Sequence, residues 1–153
     1  MIEIREPSQI RAHIGRELAV SDWFTITQER IAQFAEVTDD HQWIHLDRER
    51  AVRESPYKTT IAHGFLSLSL ISALVRDAVS IGGQKLAINY GFNRVRFVSA
   101  VPAGGRIRAR VTPAGVESVE SGVTQVVWNI VVEREGGEKP CLVADWLVRY
   151  YSN

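Results

Sequence analysis

The sequence has only one cysteine, Cys141, among its 153 residues. A single thiol excludes an intrachain disulfide and any zinc site built from paired cysteines. The chain also carries no net charge, because its 18 basic and 18 acidic residues cancel. Without an overall excess of positive charge, the composition does not favour a nucleic-acid partner or binding to an anionic membrane.

Long apolar runs are missing as well. No stretch approaches the ~20 apolar residues that a transmembrane helix needs, so the sequence predicts no membrane span. The beginning of the chain is charged and has no apolar core of the kind found in secretory signals, so we expect a cytoplasmic protein. A length of 153 residues and a hydrophobic content of 45% favour one domain, residues 1–153, with a substantial core.

The most apolar stretch predicts a helix that begins near Gly64 and continues to Ile81, where Gly82 and Gly83 end it. Apolar residues cover almost every side of its helical wheel, which is typical of a buried helix. Shorter helices are predicted within residues 8–19, from Gln28 onward and over 48–54, the last two with capping residues before them.

Everything after the long helix has the alternation of β-strands. Strands are predicted near 86–97, 106–112, 123–133 and 141–151, and a change of parity at Asn93 indicates a β-bulge in the first. Short turns make the last strands antiparallel neighbours. One buried helix followed by such strands predicts an α+β fold whose sheet curls around the helix. The open edge of a small sheet predicts self-association.

The densest cluster of reactive side chains is Thr-Asp-Asp-His-Gln-Trp-Ile-His at 38–45. In an unbroken helix, Asp40 and His45 would point roughly 140° apart and could not share a substrate. If the helix ends near Asp40 and the chain folds back, a carboxylate and an imidazole meet, which is the arrangement that proton transfer requires. On spacing alone, a polar loop with a satisfied histidine is the more frequent outcome.

A metal site has weaker support. His41 and His45 have the i, i+4 spacing of a zinc-protease helix, but Gln42 occupies the position where that motif requires glutamate. The sequence therefore predicts no metal.

The start of the long helix is a second candidate site. An N–H at Gly64 would lie at the positive end of the helix dipole and could stabilise a developing oxyanion. The alternative is that Gly64 only permits close packing, and that His63 is a loop or interface residue. A run of strand arginines is either a solvated face or a phosphate site, and we favour the former. These arginines are Arg94, Arg96, Arg106, Arg108 and Arg110.

At these positions the chain resembles the MaoC-like dehydratase family, which includes the (R)-specific enoyl-CoA hydratases, and most closely its branch related to nodulation protein N. The family's hydratase motif is matched by Phe34, Val37, Thr38, Asp40, Ile44, His45 and Ala51. The sequence departs from the motif with Asp39 for glycine, Gln42 for asparagine and Trp43 for proline. The stretch from Ile61 to Leu66 resembles a second family element, in which the glycine N–H is the oxyanion donor.

The resemblance implies a hot-dog fold, in which an antiparallel sheet wraps a long central helix, usually in a homodimer. It implies hydration of trans-2-enoyl-CoA to (R)-3-hydroxyacyl-CoA with catalytic Asp40, His45 and Gly64, and with no metal or other cofactor, since CoA is part of the substrate. The implied substrate-binding residues are Gln42, Ser69, Asn89, Arg94 and Arg96. An acyl-CoA thioesterase and a non-catalytic acyl-thioester-binding protein remain the alternatives.

Overall fold

The computed structural model describes residues 1–152, which form an α+β architecture of five α-helices and eight strands. The helices are α1 (Gln28–Thr38), α2 (Trp43–Leu46), α3 (Arg48–Glu54), α4 (Gly64–Ser69) and α5 (Ile71–Ala78), with a 3-10 helix at Pro7–His13. The strands are β1 (Ile2–Ile4), β2 (Ala19–Val20), β3 (Phe24–Thr25), β4 (Val79–Ile81), β5 (Leu86–Phe97), β6 (Arg106–Glu120), β7 (Val123–Arg134) and β8 (Leu142–Tyr151).

The main sheet is antiparallel and has the order β2-β6-β7-β8-β5, with β3 also paired to β6. Alternate residues of the three central strands face the core, as the period-two pattern predicts. Trp128 on β7 is fully buried, and its Nε1 donates a hydrogen bond to the Tyr150 hydroxyl on β8 at 3.1 Å. This layer belongs to the same hydrophobic core as the buried residues of α4 and α5.

Strand β5 contains the predicted irregularity. Its pairing with β8 shifts register between Phe92 and Arg94, so Asn93 is the extra residue of a bulge. A second shift between Asn89 and Gly91 was not predicted. Two bulges in one strand increase its local twist and let it follow the curved sheet.

The long helix is shorter than predicted and is interrupted at Leu70. It ends at Ala78 rather than at Ile81, because Val79–Ile81 pairs in parallel with the first strand of the chain. The pairing partner lies more than seventy residues upstream, so local periodicity could not reveal it. Within residues 1–152 no helix is long and apolar enough to cross a bilayer.

The prediction that this helix is buried on every side is also wrong. Leu66, Ile71 and Leu74 are buried against the sheet, whereas Phe65 is 66% exposed and Arg76 is exposed. One sheet covers only the side of the helix that it faces, and the opposite side remains open.

The beginning of the chain differs from its prediction too. The amphipathic helix expected within 8–19 is a 3-10 helix over Pro7–His13, followed by β2. By contrast, α1 and α3 begin where predicted. Their caps accept hydrogen bonds from backbone N–H groups, Thr27 Oγ1 from Arg30 at 3.2 Å and Asp47 Oδ1 from Arg50 at 2.9 Å.

Candidate active site

The helix α1 ends just before Asp40, and this break brings Asp40 and His45 together. Asp39 caps the helix in the left-handed conformation, with φ 55° and ψ 22°. Glycine is favoured in this conformation and aspartate is one of the few other residues that tolerate it. The family motif has glycine here, so Asp39 is a conservative departure in backbone terms.

His45 lies on the single-turn helix α2 and is only 8% exposed. Its Nδ1 lies 2.7 Å from the main-chain oxygen of Ile61. A carbonyl oxygen only accepts hydrogen bonds, so Nδ1 carries the hydrogen and donates. In the neutral ring, Nε2 is therefore the basic nitrogen and can accept a proton or a hydrogen bond.

The backbone of His45 is also held in place. The side-chain amide of Gln28 donates to the His45 carbonyl oxygen at 2.8 Å. The other end of the same amide, Oε1, accepts a hydrogen bond from the hydroxyl of Thr60, which is 1% exposed. Helix α1 and the segment before α4 thus clamp His45 between them.

The surroundings of His45 keep its ring neutral. Burial lowers the pKa of His45 below its usual 6.5, and the neighbouring His63 ring lowers it further. The hydrogen bond to Ile61 and the charge of Asp40 act in the opposite direction but are outweighed. The imidazole is consequently an uncharged base near neutral pH.

Asp40 is exposed, and its carboxylate lies close to two imidazoles. One oxygen of Asp40, one ring nitrogen of His45 and one of His63 all lie within 4.8 Å of one another. Two hydrogen bonds of about 2.8 Å at a tetrahedral angle span about 4.6 Å, so a single water can bridge groups at this separation. The predicted fold-back of the chain between Asp40 and His45 is confirmed by this geometry.

The same three residues are a poor cage for a metal ion. The rings of His45 and His63 are stacked, with centroids 3.8 Å apart and planes 24° apart. Imidazole nitrogens bind metals in the ring plane, and nearly parallel rings direct their lone pairs side by side rather than toward one point. Nδ1 of His45 is in addition already bonded to Ile61.

Gly64 is the first residue of α4, with His63 as its N-cap. The first N–H groups of a helix have no partner within that helix. Packing is also close here, since a Cβ atom on Gly64 would lie 2.9 Å from Cδ1 of Phe97 and the ring would have to shift. The predicted packing role is therefore present, and the predicted oxyanion role remains a prediction.

The five predicted substrate-binding residues are scattered. Gln42 is exposed, and its backbone N lies 3.5 Å from Oδ1 of Asp40. The Ser69 hydroxyl is also exposed and donates to the Phe65 carbonyl of its own helix at 2.8 Å. Asn89 lines a groove of about 600 Å³ between α5, β5 and β8.

The strand arginines are mostly engaged with acidic neighbours. Arg94 lies 3.4 Å from a carboxylate oxygen of Asp145, whereas the guanidinium of Arg96 bonds the carbonyl of Val95. The three on β6 form ion pairs with Glu133 on β7, with Glu135 directly after β7 and with Glu17 before β2; they are Arg106, Arg108 and Arg110. These three form the ion-paired, solvated face that was favoured over a phosphate site.

The other polar residues of the cluster do not join the site. His41 is paired with Glu36 on the surface of α1, at 2.8 Å from Nε2 to Oε1. Three residues that do join it were missed as site components: Gln28, Thr60 and His63. No sequence signal identifies the Gln28 clamp, but the position of His63 directly before Gly64 was a usable hint.

Comparison with known proteins identifies the family of this chain. Residues 9–135 match the family model described as a MaoC-like domain. The 3-hydroxyacyl-thioester dehydratase Z of Mycobacterium tuberculosis is 48% identical over 143 residues, covering 94% of each chain. Nodulation protein N of Rhizobium meliloti is 40% identical over 141 residues, covering 92% of this chain and 88% of that protein.

Solved structures support the fold. The unliganded (R)-hydratase PhaJ1 of Pseudomonas aeruginosa superposes with a TM-score of 0.67 at 22% identity, covering 93% of this chain and 85% of that one. The hot-dog fold and the family expected from the sequence are confirmed.

Proposed function

This chain belongs to the MaoC-like dehydratase family, and we propose that it adds water to a trans-2-enoyl thioester to give the (R)-3-hydroxyacyl thioester, or catalyses the reverse elimination. We take the CoA thioester as the substrate. The observation that carries this proposal is that one ring nitrogen of His45 lies within 4.8 Å of a carboxylate oxygen of Asp40. The hydrogen bond from Nδ1 to Ile61 leaves Nε2 as the basic nitrogen of the neutral ring.

The chemistry requires one proton to leave water and one to reach carbon. The water oxygen bonds to C3 while the electrons of the C2=C3 bond move toward the thioester carbonyl. Asp40 and His45 hold the water, take one of its protons and deliver one to C2, so the pair ends in the protonation state in which it began. The proton that stays on oxygen becomes that of the product hydroxyl.

The thioester oxygen becomes negative as water adds. We assign its stabilisation to the N–H of Gly64, at the positive end of α4. The thioester itself delocalises the carbanion, so the reaction needs no metal or redox cofactor. For the acyl thioester we assign the cleft of about 220 Å³ beside Gly64, which Ile61, Ser67 and Phe97 also line. The groove at Asn89 contains none of the residues Asp40, His45 and Gly64.

We further propose that the protein acts as a homodimer joined through β5. In the described sheet, β5 is an edge strand that pairs only with β8. Its exposed apolar side chains include Ile88 at 49% and Tyr90 at 56%. An exposed apolar edge of this kind favours pairing with a second copy.

The test is the hydration of crotonyl-CoA, followed by loss of absorbance of the conjugated thioester. Asp40→Asn and His45→Gln should each lower kcat/KM by about 10²–10⁴-fold, the range of general acid–base catalysis. Asp39→Asn and His41→Gln are the matched controls, since each removes a neighbouring titratable group that does not join the pair. Full activity in Asp40→Asn or His45→Gln would sink the proposal.

The same assay separates the alternatives. A thioesterase would release free CoA from both saturated and unsaturated acyl-CoA, which a thiol reagent detects. A non-catalytic binder would bind crotonyl-CoA without either reaction.

A further inference from the structure

His63 contacts both members of the proposed acid–base pair from the interior of the protein. It is 2% exposed, its ring stacks on His45 at 3.8 Å, and its Nε2 lies 3.0 Å from the main-chain oxygen of Asp40. The Phe34 ring closes the other side, with its centroid 5.0 Å from that of His63. A loop or interface histidine was only one of the two interpretations of the His63–Gly64 segment in the sequence.

The hydrogen bond fixes the tautomer of His63. A carbonyl oxygen accepts but cannot donate, so Nε2 carries the hydrogen and Nδ1 is left as an acceptor. Among residues 1–152 nothing donates to Nδ1, although that atom is buried. Packing alone does not require a nitrogen at this buried position, so the bond from Nε2 to Asp40 is what distinguishes histidine from an apolar ring here.

The loop that carries Asp40 has few other ties to the core. Asp40 follows the left-handed cap Asp39, and its own side chain is exposed. The bond from His63 joins its backbone to a buried side chain at the entrance of α4. The same ring limits the orientations open to His45 by stacking on it.

We propose that His63 is a positioning residue of the hydratase site, holding the Asp40 backbone with Nε2–H and the His45 ring by stacking. It does not touch the substrate in this assignment. The inference rests on the proposed function, and it explains how an exposed carboxylate and a buried imidazole keep one separation. A displacement of about 1 Å in such a pair costs on the order of 10² in rate.

Two substitutions separate the hydrogen bond from the packing. His63→Phe keeps a buried planar ring but loses the donor, and we expect kcat to fall by about 10–100-fold with KM changed less than about threefold. His63→Gln can place an amide N–H near the position of Nε2, and we expect it to recover kcat to within about tenfold of the wild type. Thermal unfolding of each variant shows whether the fold is intact.

A double-mutant cycle provides the decisive readout. If His63 acts through Asp40, His63→Phe should cost much less in an Asp40→Asn background than in the wild type. Equal costs in both backgrounds, or wild-type kcat in a folded His63→Phe variant, would overturn the inference. Failure of the proposed function is distinguishable, because the wild-type protein would then not hydrate crotonyl-CoA, or Asp40→Asn alone would keep full activity.

Discussion

The hydrogen bonds of Gln28 with His45 and Thr60 give the sharpest prediction for stability. Gln28→Met keeps the length of the side chain but removes the donor to His45 and the acceptor for Thr60. Two hydrogen bonds contribute about 1 kcal/mol each, and the orphaned buried hydroxyl of Thr60 adds about 1 kcal/mol or more. We therefore expect a loss of about 2–4 kcal/mol in the free energy of unfolding.

Thermal and urea unfolding measure this loss. For a chain of this size each kcal/mol lowers Tm by about 2–4 °C, so a decrease of about 5–15 °C is expected. Gln33→Met is the matched control, because Gln33 is exposed on the same helix and makes only a 3.5 Å contact with Glu29. That variant should change the free energy of unfolding by less than about 0.5 kcal/mol.

A second substitution tests the reasoning itself. Adding Thr60→Val to Gln28→Met removes the orphaned hydroxyl, so the double variant should regain about 1 kcal/mol over Gln28→Met alone. The reasoning is refuted if Gln28→Met costs no more than Gln33→Met, or if Thr60→Val makes the Gln28→Met protein less stable still. Crotonyl-CoA hydration should fall with Gln28→Met, since His45 loses its backbone anchor.

The site and the sheet edge lead to four further predictions. Because burial lowers the pKa of His45 below 6.5, the acid limb of kcat/KM should have its midpoint below pH 6.5, and a midpoint above that value contradicts the assignment. At a pH between the pKa of His45 in the folded protein and 6.5, the unfolded chain binds more protons than the folded protein. The free energy of unfolding should therefore be highest above pH 6.5 and fall as the pH is lowered through this window, which urea titrations can measure. Asp39→Gly should leave kcat unchanged and alter the free energy of unfolding by at most about 1 kcal/mol, whereas Asp39→Val should destabilise by more than about 1 kcal/mol, because a β-branched residue is strained at φ 55°. Ile88→Lys should convert the proposed dimer to a monomer in analytical ultracentrifugation, while Val37→Lys, an exposed apolar position on α1, should not.

Much of the architecture can be predicted from local sequence patterns. The alternation around Trp128 and the parity change at Asn93 both follow from the two-residue period of a strand, and the structure has both. The helix caps at Thr27 and Asp47 depend on a few adjacent residues, so they too could be predicted from the sequence.

Features that depend on residues far away in the chain could not be predicted from the sequence. The strand Val79–Ile81 exists because the beginning of the chain pairs with it, and the apolar surface around Phe65 stays open because one sheet covers one side. Asp40 and His45 were found through the motif, and the break between them needed a residue that accepts a positive φ. The stacking of His63 on His45 arises from tertiary folding, and the spacing of the two residues in the sequence does not indicate it.

The pairing of β1 with β4 also has a consequence for the order of folding. Ile2 and Val79 are partners, 77 positions apart. Closing an open loop of that length costs about 4 kcal/mol in chain entropy, more than a strand of three residues returns on its own. The strand can therefore dock only after the hairpins of β6, β7 and β8 have collapsed onto the helix and shortened the path. The contacts of this strand form after the transition state for folding. Weakening them should therefore raise the unfolding rate and leave the refolding rate unchanged.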